Sequence, residues 1–421
     1  MKLTTFLLRK PSYFYCLILF LLFIKIPVIS AQELDFEKSI EKHRKGKIIV
    51  KAEPDSEVII EQLGHEFWFG CAISNGIFSG RASENDVKQY KEKFLKNFNS
   101  AVTENAVKWG NMERQKGNVN YAVVDAMLKW TDESSIPLRA HNLYWGIPNR
   151  VQSWLKEMSD EELEQTLKNR AETVTARYKG RFAEYDLNNE MIHGNYYEDR
   201  LGQDITKKMA EWAQNGDPGI KLYLNDYDIL TGNMLDKFMG HIRKILKQEI
   251  PIAGIGVQGH LHSDTFERSE LIRSLDSLAK FGLPIKITEF NMPGQRSTYH
   301  IKKISTMTPE EEEKRAKELV DYYRICFAHP AVEGILMWGF WEGANWIGVS
   351  SLYKRDWTPT PAAEAYQDLI FDEWWTRAEG KSDQGGSYTT SAFFGKYKVT
   401  VDGISKEIDL TKASGSVIVE F

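Results

Sequence analysis

RFAEYDLNNE, residues Arg181 to Glu190, reads as a buried strand that runs directly into a paired amide and carboxylate. Ala183, Tyr185 and Leu187 fall two apart, which puts them on one side of a strand, and Asn188, Asn189 and Glu190 follow where the strand gives way to a loop. A second segment ends the same way. PIKITEF, Pro284 to Phe290, is a short apolar run that delivers Glu289 near its C-terminal end, with Asn291 following. Two strand-end glutamates in one chain suit a pair of carboxylates acting across one substrate bond.

On both sides of these segments the chain repeats one unit: a short apolar strand, a polar loop, then an amphipathic helix. Strands are expected at Phe67–Ser74, Ser100–Asn105, Pro137–Trp145, Arg181–Asn189, Ile220–Asp228, Ile252–His260, Pro284–Phe290 and Val332–Trp341. Helices are expected between and after them, at Asp86–Phe98, Tyr121–Trp130, Asp160–Tyr178, Ile205–Asn215, Met234–Lys247, Arg268–Phe281, Pro309–Phe327 and Ala362–Trp375. Thr308 as cap, Pro309 at the first helical position and a run of glutamates mark one helix start clearly. Eight such units make an α/β fold of the (β/α)8 TIM-barrel type, with its active site at the C-terminal ends of the strands. A doubly wound open sheet is the alternative, but no switch point or phosphate loop supports it.

The flanks differ in texture. Phe36–Lys45 reads as a short charged helix, and the following stretch to Ser74 alternates like two strands joined by a turn at Pro54 and Asp55. Beyond Trp375 a Gly- and Ser-rich stretch precedes YKVTVDGISKEIDL and GSVIVEF, strands placed about an Asp402–Gly403 turn and expected to pair with the N-terminal ones. The expected layout is a signal peptide over 1–31, an N-terminal β extension over 32–66, a catalytic barrel over 67–376 and a C-terminal β appendage over 377–421.

Lys2, Arg9 and Lys10 precede an apolar run from Tyr13 to Phe23, and Ser30 and Ala31 offer a cleavage site. Export to the periplasm, cell surface or medium is therefore expected, with no stable membrane association once the leader is removed; an uncleaved anchor is the rival reading. Two cysteines remain after the leader, Cys71 and Cys326, too few for a disulfide framework and expected as buried free thiols. The 421 residues are 42% hydrophobic and 27% charged, which argues against disorder, and a net charge of −5 with no basic stripe argues against nucleic acid as a partner.

The strand ends form a rim of amides, acids and indoles: Glu104, Asn105, Lys108 and Trp109; His141 and Trp145; Asn189 and Glu190; Asn225, Asp226 and Tyr227; Gln258 and His260; Glu289; Trp338 and Trp346. Such a rim suits polyhydroxylated ligands, since sugars present hydroxyls and apolar ring faces together. Two other patterns carry less. Gly254, Gly256 and Gly259 spell GxGxxG, but within a strand rather than opening a helix. His260 and His262 lack the further ligands a metal site needs, so no metal or cofactor is expected.

Seven motifs, in their order and spacing, resemble glycoside hydrolase family ten, the retaining endo-β-1,4-xylanases: TENAVKW (Thr103–Trp109), RAHNLYW (Arg139–Trp145), YDLNNE (Tyr185–Glu190), NDY (Asn225–Tyr227), GVQGH (Gly256–His260), ITEF (Ile287–Phe290) and WGFWEGANW (Trp338–Trp346). The likeness covers about Phe67 to Trp375, and the flanks resemble the plant-like branch. It implies Glu190 as acid/base and Glu289 as nucleophile, with Asn189 touching the 2-hydroxyl of the sugar attacked. It also implies that His141, Trp145, Gln258 and His260 line that subsite, that Glu104, Asn105 and Lys108 line the neighbouring glycone subsite, and that Trp338 and Trp346 cover the sugars. Tyr227 maps to an aglycone platform. The implied partner is xylan or a xylooligosaccharide; a β-1,4-glucanase and a non-catalytic sugar-binding barrel are the alternatives. One departure stands out: Gly146, Ile147 and Pro148 replace the histidine and glutamine that many relatives carry after the third-strand tryptophan.

Overall fold

The computed structural model describes residues 31–421, with side chains from residue 35 onward. The leader expected over 1–31 lies outside the described residues apart from its last position, and no described helix is long and apolar enough to cross a membrane. A helix, Ala31–Arg44, leads into β1 (Lys45–Lys51) and β2 (Glu57–His65). The barrel strands follow: β3 (Trp68–Ile73), β4 (Ser100–Thr103), β5 (Leu138–Ala140), β6 (Glu184–Asn189), β7 (Leu222–Asp226), β8 (Ile252–Val257), β9 (Ile285–Phe290) and β10 (Val332–Met337). After them come β11 (Arg377–Lys381), β12 (Ser387–Phe393), β13 (Gly395–Val401), β14 (Ile404–Leu410) and β15 (Ser416–Glu420).

Strands β3 to β10 pair in parallel in sequence order, and β10 returns to β3 with Gly334 opposite Trp68, closing the eight-stranded ring. Every expected barrel strand is present. Two of the helices between them begin with a reciprocal cap that satisfies their free N–H groups. Thr308 accepts from the Glu311 backbone at 3.3 Å while the Glu311 carboxylate accepts from the Thr308 backbone at 2.8 Å, and Ser159 and Glu162 repeat the arrangement ahead of Asp160–Arg177. The helix expected over Ala362–Trp375 is two pieces instead: an α-helix, Pro361–Asp368, then a π turn, Leu369–Glu373, that seats Trp374 in the core.

All six residues of β6 are buried, and their alternation divides two kinds of interior. Tyr185 and Leu187 join the main hydrophobic core. Glu184 and Asp186, on the other side of the pleat, both bind the Arg139 guanidinium of β5, and Lys286 of β9 reaches Glu184. Four charged groups thus fill the ring where apolar side chains are usual, each carrying an opposite partner that offsets its desolvation.

The flanking strands form a small two-sheet unit. β1 lies between β12 and β15, and β2 between β11 and β13, which carries β14 on its far side. The two N-terminal strands therefore do not pair with one another across Pro54 and Asp55; each is central in a different sheet. Ile48, Val50, Val58, Ile60, Tyr397, Val399 and Val419 fill the space between. Arg44 fastens this unit to the barrel, its guanidinium donating to the carbonyls of Phe327, His329 and Val332.

Candidate active site

At the C-terminal ends of the barrel strands, Glu190 and Glu289 are held by two residues that support them crosswise. Asn225, in β7, accepts the Glu190 backbone N–H on its own carbonyl at 2.9 Å and donates its side-chain amide to Glu289 Oε1 at 3.0 Å. Gln258, just past β8, accepts the Glu289 backbone N–H on its carbonyl at 2.6 Å and donates its side-chain amide to Glu190 Oε1 at 2.9 Å. Each amide residue thus fixes one glutamate by main chain and the other by side chain. The two carboxylates cannot move independently of β7 and β8. Glu190 itself sits at φ 62°, a left-handed conformation that side-chain-bearing residues seldom adopt, and it does so directly after the last residue of β6.

Why β7 and β8 come this close is visible in Gly256. A side chain there would meet Asn225 Oδ1 and the Leu224 carbonyl, each at 2.7 Å, so the glycine leaves Asn225 its place. Two of the glycines in the GxGxxG pattern, Gly254 and Gly256, lie within β8, and Gly256 serves strand packing.

The electrostatics of Glu289 are one-sided. Burial alone raises its carboxyl; His141, the hydrogen bond from His260 Nε2 at 3.1 Å and Lys108 outweigh this and bring it down to about 2. His141 is oriented by Asp186, to which its Nδ1 donates at 2.8 Å, and Asp186 is bound in turn by Arg139. The charged interior of the barrel and the site are one connected network. Trp145 donates its indole N–H to Glu190 Oε2 at 2.9 Å, so both Glu190 oxygens are occupied.

Lys108 lies between two indoles, 4.9 Å from the Trp145 ring centre and 5.6 Å from that of Trp338, and donates to Asn105 Oδ1 at 2.9 Å. Burial lowers the Lys108 pKa against the pull of Glu289, Glu104 and Glu190, and burial raises that of Glu104. Asn189 accepts from Asn225 at 3.0 Å, while its own buried amide nitrogen has no partner among the described residues. Trp338 stands edge-on to His141 and His260. Trp346 is 46% exposed at the mouth, tethered by its N–H to Asn291 Oδ1 at 3.1 Å. Tyr227 lies flat on His193 at 3.6 Å between ring centres.

All thirteen expected site residues thus lie at the strand ends, and several further ones join them. Asn225 was legible only as a rim residue, because its double role needs the β7–β8 register. Asp186 and Arg139 resembled ordinary core neighbours of apolar residues, and nothing local in the sequence assigns His193 to Tyr227. Asn188, left without a role by the sequence, accepts from the Gly146 backbone at 3.0 Å and donates to Asn195 at 3.2 Å, holding the following loops. His260 and His262 have separate partners, Glu289 and Asp228. Among the described residues no group of three or more His, Cys, Asp or Glu is arranged to hold a metal ion, and Cys71 and Cys326 are buried free thiols.

Comparison with known proteins adds a family match, two relatives and two solved structures. A family model described as glycosyl hydrolase family 10 matches residues 59–369. The chain is 33% identical over 376 residues to endo-1,4-beta-xylanase 1 of Arabidopsis thaliana, covering 87% of this chain and 37% of that protein. It is 32% identical over 407 residues to the anti-sigma-I factor RsgI6 of Acetivibrio thermocellus, covering 93% of this chain and 50% of that protein. The chain therefore spans half or less of the length of these curated relatives. Among solved structures, native xylanase 10B from Thermotoga maritima superposes with a TM-score of 0.64 at 25% identity, covering 73% of this chain and 96% of that one. Xylanase 10B from Thermotoga petrophila, solved in complex with xylobiose, matches equally well, with a TM-score of 0.64 at 25% identity over 73% of this chain and 95% of that one.

Proposed function

This chain belongs to glycosyl hydrolase family 10, and on that premise we propose that it cuts internal β-1,4 linkages of xylan with retention of configuration, Glu190 acting as acid and base and Glu289 as nucleophile. The observation that carries this reading is the crosswise support by Asn225 and Gln258, which ties both carboxylates to the same two strand ends. Retaining chemistry needs the two carboxyls about 5–5.5 Å apart, too close for a water to attack from behind, so one of them attacks.

In the first step an ionised Glu289 oxygen bonds to the anomeric carbon as the glycosidic C–O bond breaks, and Glu190 gives its proton to the departing oxygen. In the second, Glu190 takes a proton from water, the water oxygen attacks the same carbon, and Glu289 leaves as carboxylate. His141, His260 and Lys108 favour the ionised form that the first step requires. Trp145 and Gln258, bound to Glu190, fix its direction. Asn189, next to Glu190 and bonded to Asn225, suits a sugar hydroxyl, and Lys108 between Trp145 and Trp338, with Glu104 and Asn105, suits the neighbouring xylose. Tyr227 and Trp346 supply stacking surface at the mouth. Residues 1–31 are read as an export leader, which mass measurement of the mature chain tests by its starting residue.

Glu190→Gln and Glu289→Gln are each expected to lose soluble-xylan turnover by roughly a thousandfold or more. Near-wild-type turnover in either variant overturns the assignment. Reducing-end release from xylan but not from carboxymethyl cellulose supports the substrate; equal release from both makes the protein a broader β-1,4-glucanase.

A further inference from the structure

The loops after β4 and β5 enclose a cavity of about 210 Å3 beside Lys108 and Trp145. Its polar wall is made of side chains that donate, among them Lys108, Arg150 and Gln152, together with the amides Asn105 and Asn111, and no carboxylate lines it. The Arg150 guanidinium lies 4.8 Å over the Trp145 ring. Among the described residues, Arg177, Arg181, Arg200, Arg268 and Arg324 on the outer surface each pair with an acid, while Arg81, Arg114, Arg243 and Arg355 do not. Arg150 makes no such pair among the described residues, and the Gln152 side-chain nitrogen is buried with no partner. Arg150 and Lys108 are the two cations that line this space.

Gly146, Ile147 and Pro148 set the course of the backbone between Trp145 and Arg150, both of which line the cavity. A side chain at Gly146 would press on Asn195 at 3.0 Å and Tyr197 at 3.1 Å, so the loop turns tightly. The Arg150 backbone N–H then closes a turn onto the Ile147 carbonyl at 2.8 Å, which brings the guanidinium back over Trp145.

A neutral xylose unit offers hydroxyls and ring faces, and it leaves the Arg150 guanidinium without a counter-charge. A carboxylate supplies it, and a planar guanidinium stacked on an indole is already oriented for two parallel N–H···O bonds. The chain as a whole carries a net charge of −5 and repels polyanions, so a local cation is what an acidic substrate requires. We propose that this cavity binds the carboxylate of a uronic acid branch, making glucuronic-acid-substituted xylan the preferred substrate and Arg150 a specificity-determining residue. This rests on the xylanase reading above.

The test measures kcat/KM of the full chain, Arg150→Gln and Arg150→Lys on three substrates: glucuronic-acid-branched xylan, the same polymer with its carboxylates reduced to primary alcohols, and linear xylohexaose. Wild type is expected to favour the acidic over the reduced polymer by about tenfold, mainly through KM, with the preference weakened by salt. Arg150→Gln is expected to abolish the preference and leave xylohexaose cleavage unchanged, and Arg150→Lys to retain part of it. Equal cleavage of both polymers by wild type overturns the proposal. So does an equal loss by Arg150→Gln on all three substrates, which marks the side chain as a mere prop for Trp145. No wild-type cleavage of xylohexaose defeats the xylanase reading instead. Calorimetry with an aldouronic oligosaccharide against its carboxyl-reduced form then decides the cavity alone: an Arg150-dependent preference supports it and none overturns it.

Discussion

With His141 and His260 against it and Lys108 nearby, the Glu289 carboxyl titrates near 2 in the folded protein rather than at its ordinary 4.5, despite being buried. A group whose folded pKa is depressed adds stability that is complete above its unfolded pKa and is lost as pH falls through the folded one. The stability of the wild type over Glu289→Gln is therefore expected to shrink by about 3 kcal/mol as pH falls from about 5 toward 2. Urea titrations of both proteins across that window check it, and a constant difference would contradict it. Asn225 is expected to matter comparably, because it binds Glu289 and Asn189 through its amide and Glu190 through its carbonyl. Asn225→Ala keeps the carbonyl and removes the amide. Its kcat/KM on xylohexaose is expected to fall by about ten- to a hundredfold, the range for a lost hydrogen bond to a charged group, and an unchanged value would show that Gln258 suffices alone.

Strand β6 shows what alternation in a sequence does and does not disclose. Its apolar residues identified it as a strand, and Glu190 after Asn189 identified the site. Glu184 and Asp186 fall on the other side of the same pleat, and their use became plain only when Arg139 and Lys286 arrived from β5 and β9. Pairings between distant strands are not written in local spacing. Arg139→Met removes the shared cation from two buried carboxylates and is expected to cost about 3–5 kcal/mol. It is also expected to lower activity, because Asp186 then loses the partner that fixes it beneath His141. Denaturant unfolding and xylan turnover read the two effects; wild-type stability would show that the interior is not held by this network. The capped helices were legible for the opposite reason, since Thr308, Pro309 and Glu311 act within one turn. Strand β12, SYTTSAF, was hidden by its composition: five of its seven residues are polar or small and only Ala392 and Phe393 are buried, so it reads as a linker until β1 pairs with it.

The whole chain is tied end to end, because β1 and β2 find their partners only among β11, β12, β13 and β15. Ending the chain at residue 376 leaves Ile48, Val50, Val58 and Ile60 without cover, at roughly 1.5–3 kcal/mol each. The truncated protein is expected to aggregate or to unfold at markedly lower denaturant than the full chain, by light scattering and urea titration; a soluble barrel of undiminished stability would show that the two-sheet unit is dispensable. The barrel and its rim were legible in the sequence because each strand carries its own apolar run and polar end. The arrangement of the flanks was not, because it depends on contacts between residues more than three hundred positions apart, such as the β1–β12 and β2–β13 pairings. Central to the proposed function is that two carboxylates, held crosswise by Asn225 and Gln258, divide one reaction between them. Incubation with an activated 2-deoxy-2-fluoro-xylobioside, followed by digestion and mass spectrometry, tests this most directly. A fluoroxylobiosyl adduct on the peptide containing Glu289 is expected. Label on another residue, or steady hydrolysis of xylan with inverted product and no adduct, would contradict it.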